Sequence, residues 1–120
     1  MIVEDRVQDV SLMKFYDFLT RCIAQGSHTL TIRQLVVLLI CYLFEEDHTV
    51  RRLAARLRVA KPTVSRMLDH LVEEGLIERR TDPRDRRSVL FERTRAGREF
   101  VEGIAKPAPA PIAKFRDRNK

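Results

Sequence analysis

The sequence has few of the residues that build most enzyme sites, and it has no long apolar run. It contains four glycines, two cysteines and no tryptophan in 120 residues. No Gly-x-Ser-x-Gly, His-Glu-x-x-His or phosphate-cradling glycine loop is present, so no enzyme is expected. The longest apolar run, residues 35–44, is about half of the ~20 residues that cross a bilayer. These absences favour one compact domain that folds by packing and does not span a membrane.

Cysteine and histidine are too sparse for a disulfide framework or a metal site. Cys22 and Cys41 are too far apart for a Cys-x-x-Cys clip. His28, His48 and His70 have no His or Cys at ligand spacing, so structural or surface roles are expected. The acidic start of the chain lacks a secretory signal. We therefore expect a cytoplasmic protein with no metal and no cofactor.

Positive charge is what the sequence has in excess. Lys and Arg total 23 against 17 Asp and Glu, which gives a net charge of +6, and 18 of the cations are Arg. Residues 51–98 alone carry +7. The planar guanidinium fork suits phosphate and base-edge contacts, whereas a surface built only for solubility more often carries Lys and Glu. The charge pattern therefore predicts that residues 51–98 contact nucleic acid.

Apolar spacing predicts two helices before the basic segment. Residues 7–23 repeat apolar side chains at three- and four-residue steps, as an amphipathic helix does. A second helix begins at Thr31, where Gln34 completes a capping-box pattern, and runs to about residue 46. Because residues 35–44 are apolar all round, this helix is expected to be buried on every side, by its own domain or by a second subunit.

A helix-turn-helix pattern follows. Thr49 is expected to cap a short third helix, and residues 58–60 break it. Pro62 then opens a fourth helix, because proline is tolerated in a first helical turn, and Gly75 closes it. Two short helices joined by a three-residue turn are typical of DNA-binding domains.

A hairpin and a last helix complete the predicted fold. Residues 76–80 and 88–93 are predicted to be strands joined by an Arg-dense loop at 81–87. Thr94 is expected to cap a final helix that runs to about residue 105. The predicted fold is mainly α with a small β-hairpin wing (α+β), which is a winged helix-turn-helix.

These segments resemble the bacterial multiple-antibiotic-resistance regulator (MarR) family. The matching strings are TVRRLA at 49–54, KPTVSR at 61–66, EGLI at 74–77 and DPRDRRS at 82–88. The resemblance covers about residues 28–103. It implies a homodimer that binds a pseudo-palindromic double-stranded DNA operator and regulates transcription, and repression is expected more than activation. A small-molecule effector is common in such proteins, but no residue here is assigned to one.

The start of the fourth helix carries the expected major-groove residues. Lys61, Thr63, Ser65 and Arg66 offer cations and short hydroxyls outside the apolar face. Arg66 is the expected reader of guanine. The resemblance implies that the whole recognition helix, residues 61–74, enters the major groove.

The wing, residues 81–87, carries the expected minor-groove residues. The resemblance implies that Asp85 pairs with Arg87 and holds its guanidinium ready for a narrow A·T-rich groove, where negative potential is concentrated. Arg84 and Arg86 would then touch the DNA backbone or solvent. Of Arg79 and Arg80, only one can face DNA, because neighbouring strand residues point to opposite faces.

The predicted interface also includes the DNA backbone. Thr49 and Arg51, at the start of the third helix, are expected to contact phosphates.

The sequence departs from the family at two places. Ala60 precedes the recognition helix where the family often has Ser, so a capping hydrogen bond of about 1 kcal/mol is expected to be missing. The family usually continues into longer C-terminal helices that interleave in the dimer, whereas here Pro107, Pro109 and Pro111 prevent continuation.

The expected organisation follows from these departures. Residues 1–27 form a dimerising helix, residues 28–105 form the DNA-binding domain and residues 106–120 form a basic, Pro-rich tail. The first helix and residues 35–44 are expected to form the subunit interface, with Ile112 and Phe115 of the tail docked on the partner.

Three alternatives remain open at this point. A general nucleic-acid packing protein would bind with steep salt dependence and no preferred site. A protein-interaction winged helix would bury the fourth helix in a complex with an acidic partner. A thiol-switched regulator would release DNA on mild oxidation through Cys22 or Cys41.

Overall fold

The computed structural model describes residues 9–25 and 28–106, which form five helices and one antiparallel two-stranded sheet. The helices are α1 Val10–Gln25, α2 Ile32–Leu43, α3 Val50–Leu57, α4 Lys61–Glu73 and α5 Arg95–Ala105, and the strands are β1 Ile77–Asp82 and β2 Asp85–Arg93. This order confirms the predicted winged helix-turn-helix. None of the helices within the described ranges is both long and apolar enough to cross a bilayer.

The chain divides into two compact units, which are described separately. One is Ser27–Glu102, and the other combines Met1–Gly26 with Gly103–Lys120. The larger unit holds α2, α3, α4, the hairpin and most of α5. The predicted tail from Pro107 onwards lies outside the described residues.

The capping box at the start of α2 is present as predicted. Thr31 Oγ1 accepts a hydrogen bond from the Gln34 amide at 3.1 Å, and Gln34 Oε1 accepts one from the Thr31 amide at 2.9 Å. The helix ends at Leu43, earlier than the predicted residue 46, because the backbone of Phe44 is extended. The Phe44 carbonyl oxygen lies 3.0 Å from Nε2 of the buried His48, which therefore donates a hydrogen bond to it. A histidine side chain thus satisfies a carbonyl at the end of the helix.

Helix α2 is not buried on every side within the Ser27–Glu102 unit. The alternative in which its own domain buries the whole helix is therefore wrong. Its buried side chains are Val37, Leu38, Ile40 and Cys41. In contrast, Leu43 is 66% exposed and Phe44, which follows it, is 43% exposed. Arg56 covers part of this surface, with its guanidinium 4.4 Å from the centre of the Phe44 ring. An apolar face therefore remains without a covering element in this unit.

The helix-turn-helix matches its predicted boundaries. Thr49 Oγ1 accepts from the Arg52 amide at 3.2 Å and caps α3. Arg58 ends that helix in the left-handed region at φ 57°. Ala60 makes no side-chain cap at the start of α4, as expected of a methyl side chain, which cannot accept a hydrogen bond. Gly75 follows α4 at φ 77°, a conformation that glycine adopts at little cost.

The hairpin is longer, and its turn tighter, than the sequence predicted. The strands pair from Ile77 with Arg93 to Asp82 with Asp85, with an irregularity at Thr81 and Asp82. The prediction that residues 81–87 form one loop is therefore wrong, because Pro83 and Arg84 alone connect the strands. The physical reason is that aspartate side chains satisfy amides at the turn, which lets the ladder continue to the tip.

A glycine brings α5 close to α2 and the hairpin. A Cβ added at Gly97 would overlap the Tyr42 hydroxyl and the Leu76 carbonyl oxygen. Thr94 caps α5 as predicted, since its Oγ1 accepts from the Gly97 amide at 2.9 Å and donates to the Gly75 carbonyl at 2.6 Å. Only glycine permits this approach of the helix to the tyrosine.

The smaller unit contains α1, which begins later and ends later than the predicted 7–23. Asp9 Oδ1 accepts from the Ser11 amide at 2.8 Å at its start. Arg21 Nε donates to the Ile104 carbonyl at 2.8 Å. None of the residues of α1 is buried. Its largest exposed apolar side chains are Val10, Leu12, Met13, Phe15, Tyr16 and Ile23.

Candidate nucleic-acid interface

The first two turns of α4 present the predicted major-groove residues away from the core. Lys61 and Arg66 are exposed, and Thr63 and Ser65 are partly exposed. The opposite side of the helix is buried through Val64, Met67, Leu68 and Leu71. Because this buried row fixes the rotation of the helix about its axis, the four polar side chains are held on its outer side.

The start of α3 adds a hydroxyl and a guanidinium. Thr49 Oγ1 already accepts the capping hydrogen bond, which leaves its own proton free to be donated. Arg51 is exposed in the first turn. The free amides of a helix start also attract anions. This helix end is therefore chemically suited to a phosphate.

Two aspartates shape the wing tip. Asp82 Oδ1 accepts from the Arg84 amide at 2.9 Å. Asp85 Oδ1 accepts from the Arg87 amide at 3.1 Å, and its Oδ2 accepts from the Ser88 hydroxyl at 3.2 Å. The ion pair between Asp85 and the Arg87 guanidinium, which the family resemblance implied, is not among the ion pairs of the described residues. The Asp85 carboxylate instead bonds to the start of β2, through one backbone amide and one side-chain hydroxyl.

Arg84 is held by carboxylates although it lies at the wing tip. Its Nη2 is 2.9 Å from Asp47 Oδ2, and its Nε is 3.7 Å from Asp82 Oδ1. The neighbouring Arg86 and Arg87 are exposed on β2. Arg84 therefore differs electrostatically from the other arginines of the wing.

An acidic loop, residues 45–47, contributes to this region, and the sequence reasoning missed it. Each of its carboxylates pairs with a different arginine: Glu45 with Arg93 of β2 at 2.7 Å, Glu46 with Arg56 of α3 at 2.9 Å and Asp47 with Arg84 of the hairpin turn at 2.9 Å. Next to the loop, the His48 carbonyl accepts from the Phe91 amide at 2.9 Å. The sequence did contain a signal for these ion pairs, since three consecutive acidic residues stand just before an Arg-rich segment.

A charged cleft of about 540 Å³ lies between the wing and the starts of α3 and α4. Its cationic lining is Arg51, Arg52, Lys61 and Arg87, and its anionic lining is Asp47, Asp82 and Asp85. The cleft thus brings together residues that are far apart in sequence. Its cations come from all three of the segments predicted to touch DNA.

The Arg and Lys side chains of the Ser27–Glu102 unit form two sets. In the first set, carboxylates already balance the charge: Arg56 with Glu46, Arg79 with Asp69, Arg80 with Glu92, Arg93 with Glu45 and Arg95 with Glu99. In the second set, no carboxylate of the described ranges forms an ion pair with Arg51, Lys61, Arg66, Arg86 or Arg87. Apart from Arg84, the cations predicted to bind DNA have no ion-pair partner among the described residues, and the same holds for Arg33, Arg52, Arg58 and Arg98.

The thiols are poorly placed for a redox switch. Burial raises the pKa of the Cys41 thiol to about 12, and the nearby Arg93 lowers it only in part. Burial also raises the pKa of Cys22, with Arg21 opposing the shift. The thiolate is the reactive form, so both thiols are less reactive than a free one. Among the described residues, no group of three or more side chains is arranged to hold a metal ion.

The fold and the unbalanced cations together define a class of protein, the winged helix-turn-helix DNA-binding proteins. The model of the MarR family matches residues 30–89, which is half of the chain. No curated protein sequence matches the chain. The chain belongs to the MarR family, and it is a transcriptional regulator with a DNA-binding winged helix.

Several solved structures are similar to the chain. The transcriptional regulator Tm0710 from Thermotoga maritima is 26% identical, with a TM-score of 0.70 over 92% of this chain and 78% of that one. MepR of S. aureus, solved in complex with DNA, is 26% identical, with a TM-score of 0.66 over 78% and 74%. A crystal structure of MarR is 31% identical, with a TM-score of 0.58 over 88% and 70%.

Proposed function

We propose that the chain is a sequence-specific regulator that binds double-stranded DNA as a homodimer in the cytoplasm and represses transcription. The observation that carries the proposal is that unpaired cations of α3, α4 and the wing line one charged cleft, namely Arg51, Lys61 and Arg87. Arg51, Lys61, Arg66, Arg86 and Arg87 have no carboxylate partner among the described residues. Exposed cations without partners contribute most to phosphate binding, since no internal ion pair must be broken.

The recognition helix is proposed to lie in the major groove. An α-helix fits this groove, and Arg66 suits the two acceptors on the edge of guanine. Thr63 and Ser65 offer hydroxyl groups to base edges or phosphates. The buried row on the other side of α4 gives this helix a fixed orientation. Thr49 and Arg51 are proposed to bind the phosphate backbone beside it.

The wing is proposed to reach the adjacent minor groove through Arg87, with Arg86 on the backbone. The bond from the Arg87 amide to Asp85 orders the backbone that carries this guanidinium. Ordering before binding lowers the entropy lost on association. The cleft of about 540 Å³ between the wing and the helix starts would receive the phosphate backbone that separates the two grooves.

Homodimerisation is supported by apolar side chains that are exposed in the described part of each unit. In the smaller unit, α1 exposes Phe15 and Tyr16 by about half. In the larger unit, α2 exposes Val36 and Leu43. Apolar faces of this kind are typical of subunit interfaces. We assign residues 1–27 to dimerisation and 28–105 to DNA binding, and no residue to an effector.

Selection of bound duplexes from a random pool at about 150 mM salt tests this proposal, because such salt suppresses purely electrostatic binding. The expected result is an inverted repeat with half-sites about one helical turn apart, together with a dimer by sedimentation. Recovery of no preferred sequence, with steep salt dependence, would show a general packing protein instead. A chain that fails to retain duplex DNA but binds an acidic protein would point to an interaction module.

A further inference from the structure

Arg84 is the wing arginine whose charge is more than balanced within the chain. Its guanidinium lies 2.9 Å from Asp47 on one side and 3.7 Å from Asp82 on another. Its backbone amide also donates to Asp82 Oδ1 at 2.9 Å. At neutral pH this triad carries a net charge of −1. The Arg84 side chain is 76% exposed, so a phosphate that approaches the wing tip there competes with two carboxylates, unlike at Arg86.

We propose that Asp47 withholds Arg84 from DNA phosphates and so keeps the sequence-independent affinity of the chain for DNA low. The inference rests on the proposed function, because it concerns the same DNA-binding surface. Sequence-independent binding depends on how many phosphates the protein neutralises. By occupying one wing guanidinium, Asp47 removes one such contact and leaves the base-reading Arg66 unchanged.

The position of Asp47 makes this effect specific to Arg84. Its neighbours in the acidic loop pair elsewhere, Glu45 with Arg93 and Glu46 with Arg56. Asp47 also lines the charged cleft, where its carboxylate opposes phosphates directly. A general affinity kept low in this way leaves more of the protein free of the many competing genomic sites.

Salt dependence separates this inference from simple charge effects. Each phosphate contact changes the slope of log K against log salt by about 0.9 for duplex DNA. A change of local charge that makes no new contact changes the affinity but leaves this slope almost unchanged. The slope therefore reports whether Arg84 touches DNA, even where a substitution also leaves a carboxylate unpaired.

The experiment compares the wild-type chain with Asp47→Asn, Arg84→Gln and the double variant on a labelled random-sequence duplex. Arg86→Gln is the matched control, since Arg86 is an exposed neighbour with no carboxylate partner in the described structure. Dissociation constants are measured at several salt concentrations. Circular dichroism melting of each variant checks that the wing substitutions leave the fold intact.

The inference predicts a distinct slope for each variant. Asp47→Asn binds up to about fivefold tighter, with a slope steeper by about 0.9, because Arg84 keeps only the more distant Asp82 and gains a phosphate. Arg84→Gln keeps the wild-type slope, and the double variant returns to it. Arg86→Gln has a slope shallower by about 0.9.

Two results would overturn the inference, and only the second would also overturn the proposed function. If Arg84→Gln lowers the slope as much as Arg86→Gln does, while Asp47→Asn leaves it unchanged, then Arg84 contacts DNA despite Asp47. In that case the proposed function stands and this inference alone fails. If the wild-type chain does not bind duplex DNA at any salt concentration, both fail together.

Discussion

The hydroxyl of Tyr42 accepts a hydrogen bond from the backbone amide of Thr94 at 3.1 Å. The same hydroxyl donates to the Leu76 carbonyl oxygen at 2.7 Å. One side chain of α2 therefore joins the residue before β1 to the residue that caps α5. Gly97 makes room for this arrangement, because any side chain there would overlap the tyrosine.

Tyr42→Phe is expected to lower the free energy of unfolding by about 1–3 kcal/mol, because it leaves the Thr94 amide and the Leu76 carbonyl without their partner. Urea denaturation measures the change. Tyr16→Phe is the control, since Tyr16 is 50% exposed on α1, and it should have almost no effect. Equal stability of the two variants would mean that water replaces the tyrosine hydroxyl.

Ala60→Ser is expected to stabilise the chain by about 1 kcal/mol, because α4 begins without a side-chain cap. Ala60 has the extended backbone that a capping residue needs, with φ −61° and ψ 143°. The midpoint temperature of thermal unfolding should rise by a few degrees. Ala55→Ser, at an exposed position inside α3, provides the comparison and should give no increase. A gain at both positions would argue against capping as its cause.

Arg66→Ala is expected to weaken operator binding by about 1–3 kcal/mol and to relax the base preference at one position of each half-site. Competition between the selected site and random duplex measures both effects. Arg98→Ala is the control, because Arg98 is exposed on α5, which begins next to Gly75 at the opposite end of α4 from the DNA-binding turn. Equal loss on selected and random DNA would refute base reading by Arg66.

Arg87→Ala is expected to weaken binding most where the flanks of the site are rich in A·T, because a narrow minor groove concentrates negative potential. Operators with A·T-rich and G·C-rich flanks should be compared in the same binding assay. Arg80→Ala is a suitable control, since Arg80 pairs with Glu92 at 3.2 Å. If the loss does not depend on the flank, Arg87 binds phosphate and does not enter the groove.

Cys41 is expected to be nearly inert toward a thiol reagent near pH 8 until the chain unfolds, because its thiol is buried and its pKa is about 12. The folded state favours the protonated thiol, so this contribution to stability is complete below the ordinary pKa of 9.0 and is lost as pH rises toward 12. Relative to Cys41→Ala, the wild-type chain should therefore lose stability over that range.

Titration with a thiol reagent and urea denaturation at several pH values check these two expectations. Cys22, which is only partly buried, should react faster in the folded chain and gives an internal comparison. Rapid reaction of Cys41, or release of DNA by mild peroxide that depends on it, would revive the thiol-switched alternative.

The predictions that succeeded concern features decided by neighbouring residues. The capping box at Thr31, the cap at Thr49, the turn before Pro62 and the left-handed Gly75 each follow from a side chain or a backbone preference within a few positions. Helix period likewise placed the buried side of α4 and left Arg66 exposed. Local physical chemistry was enough for these elements.

The predictions that failed concern side chains that can bond to more than one nearby donor or acceptor. His48 bonds to the Phe44 carbonyl just after α2, and aspartate side chains bond to amides near the tip of the hairpin. The resemblance implied a partner for Arg87, but Asp85 bonds to the backbone at this turn. Such choices depend on which donors and acceptors meet in space.

The sequence by itself determined the winged helix-turn-helix, its family and the segments that carry the positive charge, since these depend on local patterns. Only the tertiary structure decided which of the arginines are balanced by carboxylates. The acidic loop pairs with Arg56, Arg84 and Arg93, and it leaves Arg86 and Arg87 without partners among the described residues. Ion pairing depends on distances of a few ångströms, which folding sets and sequence spacing does not.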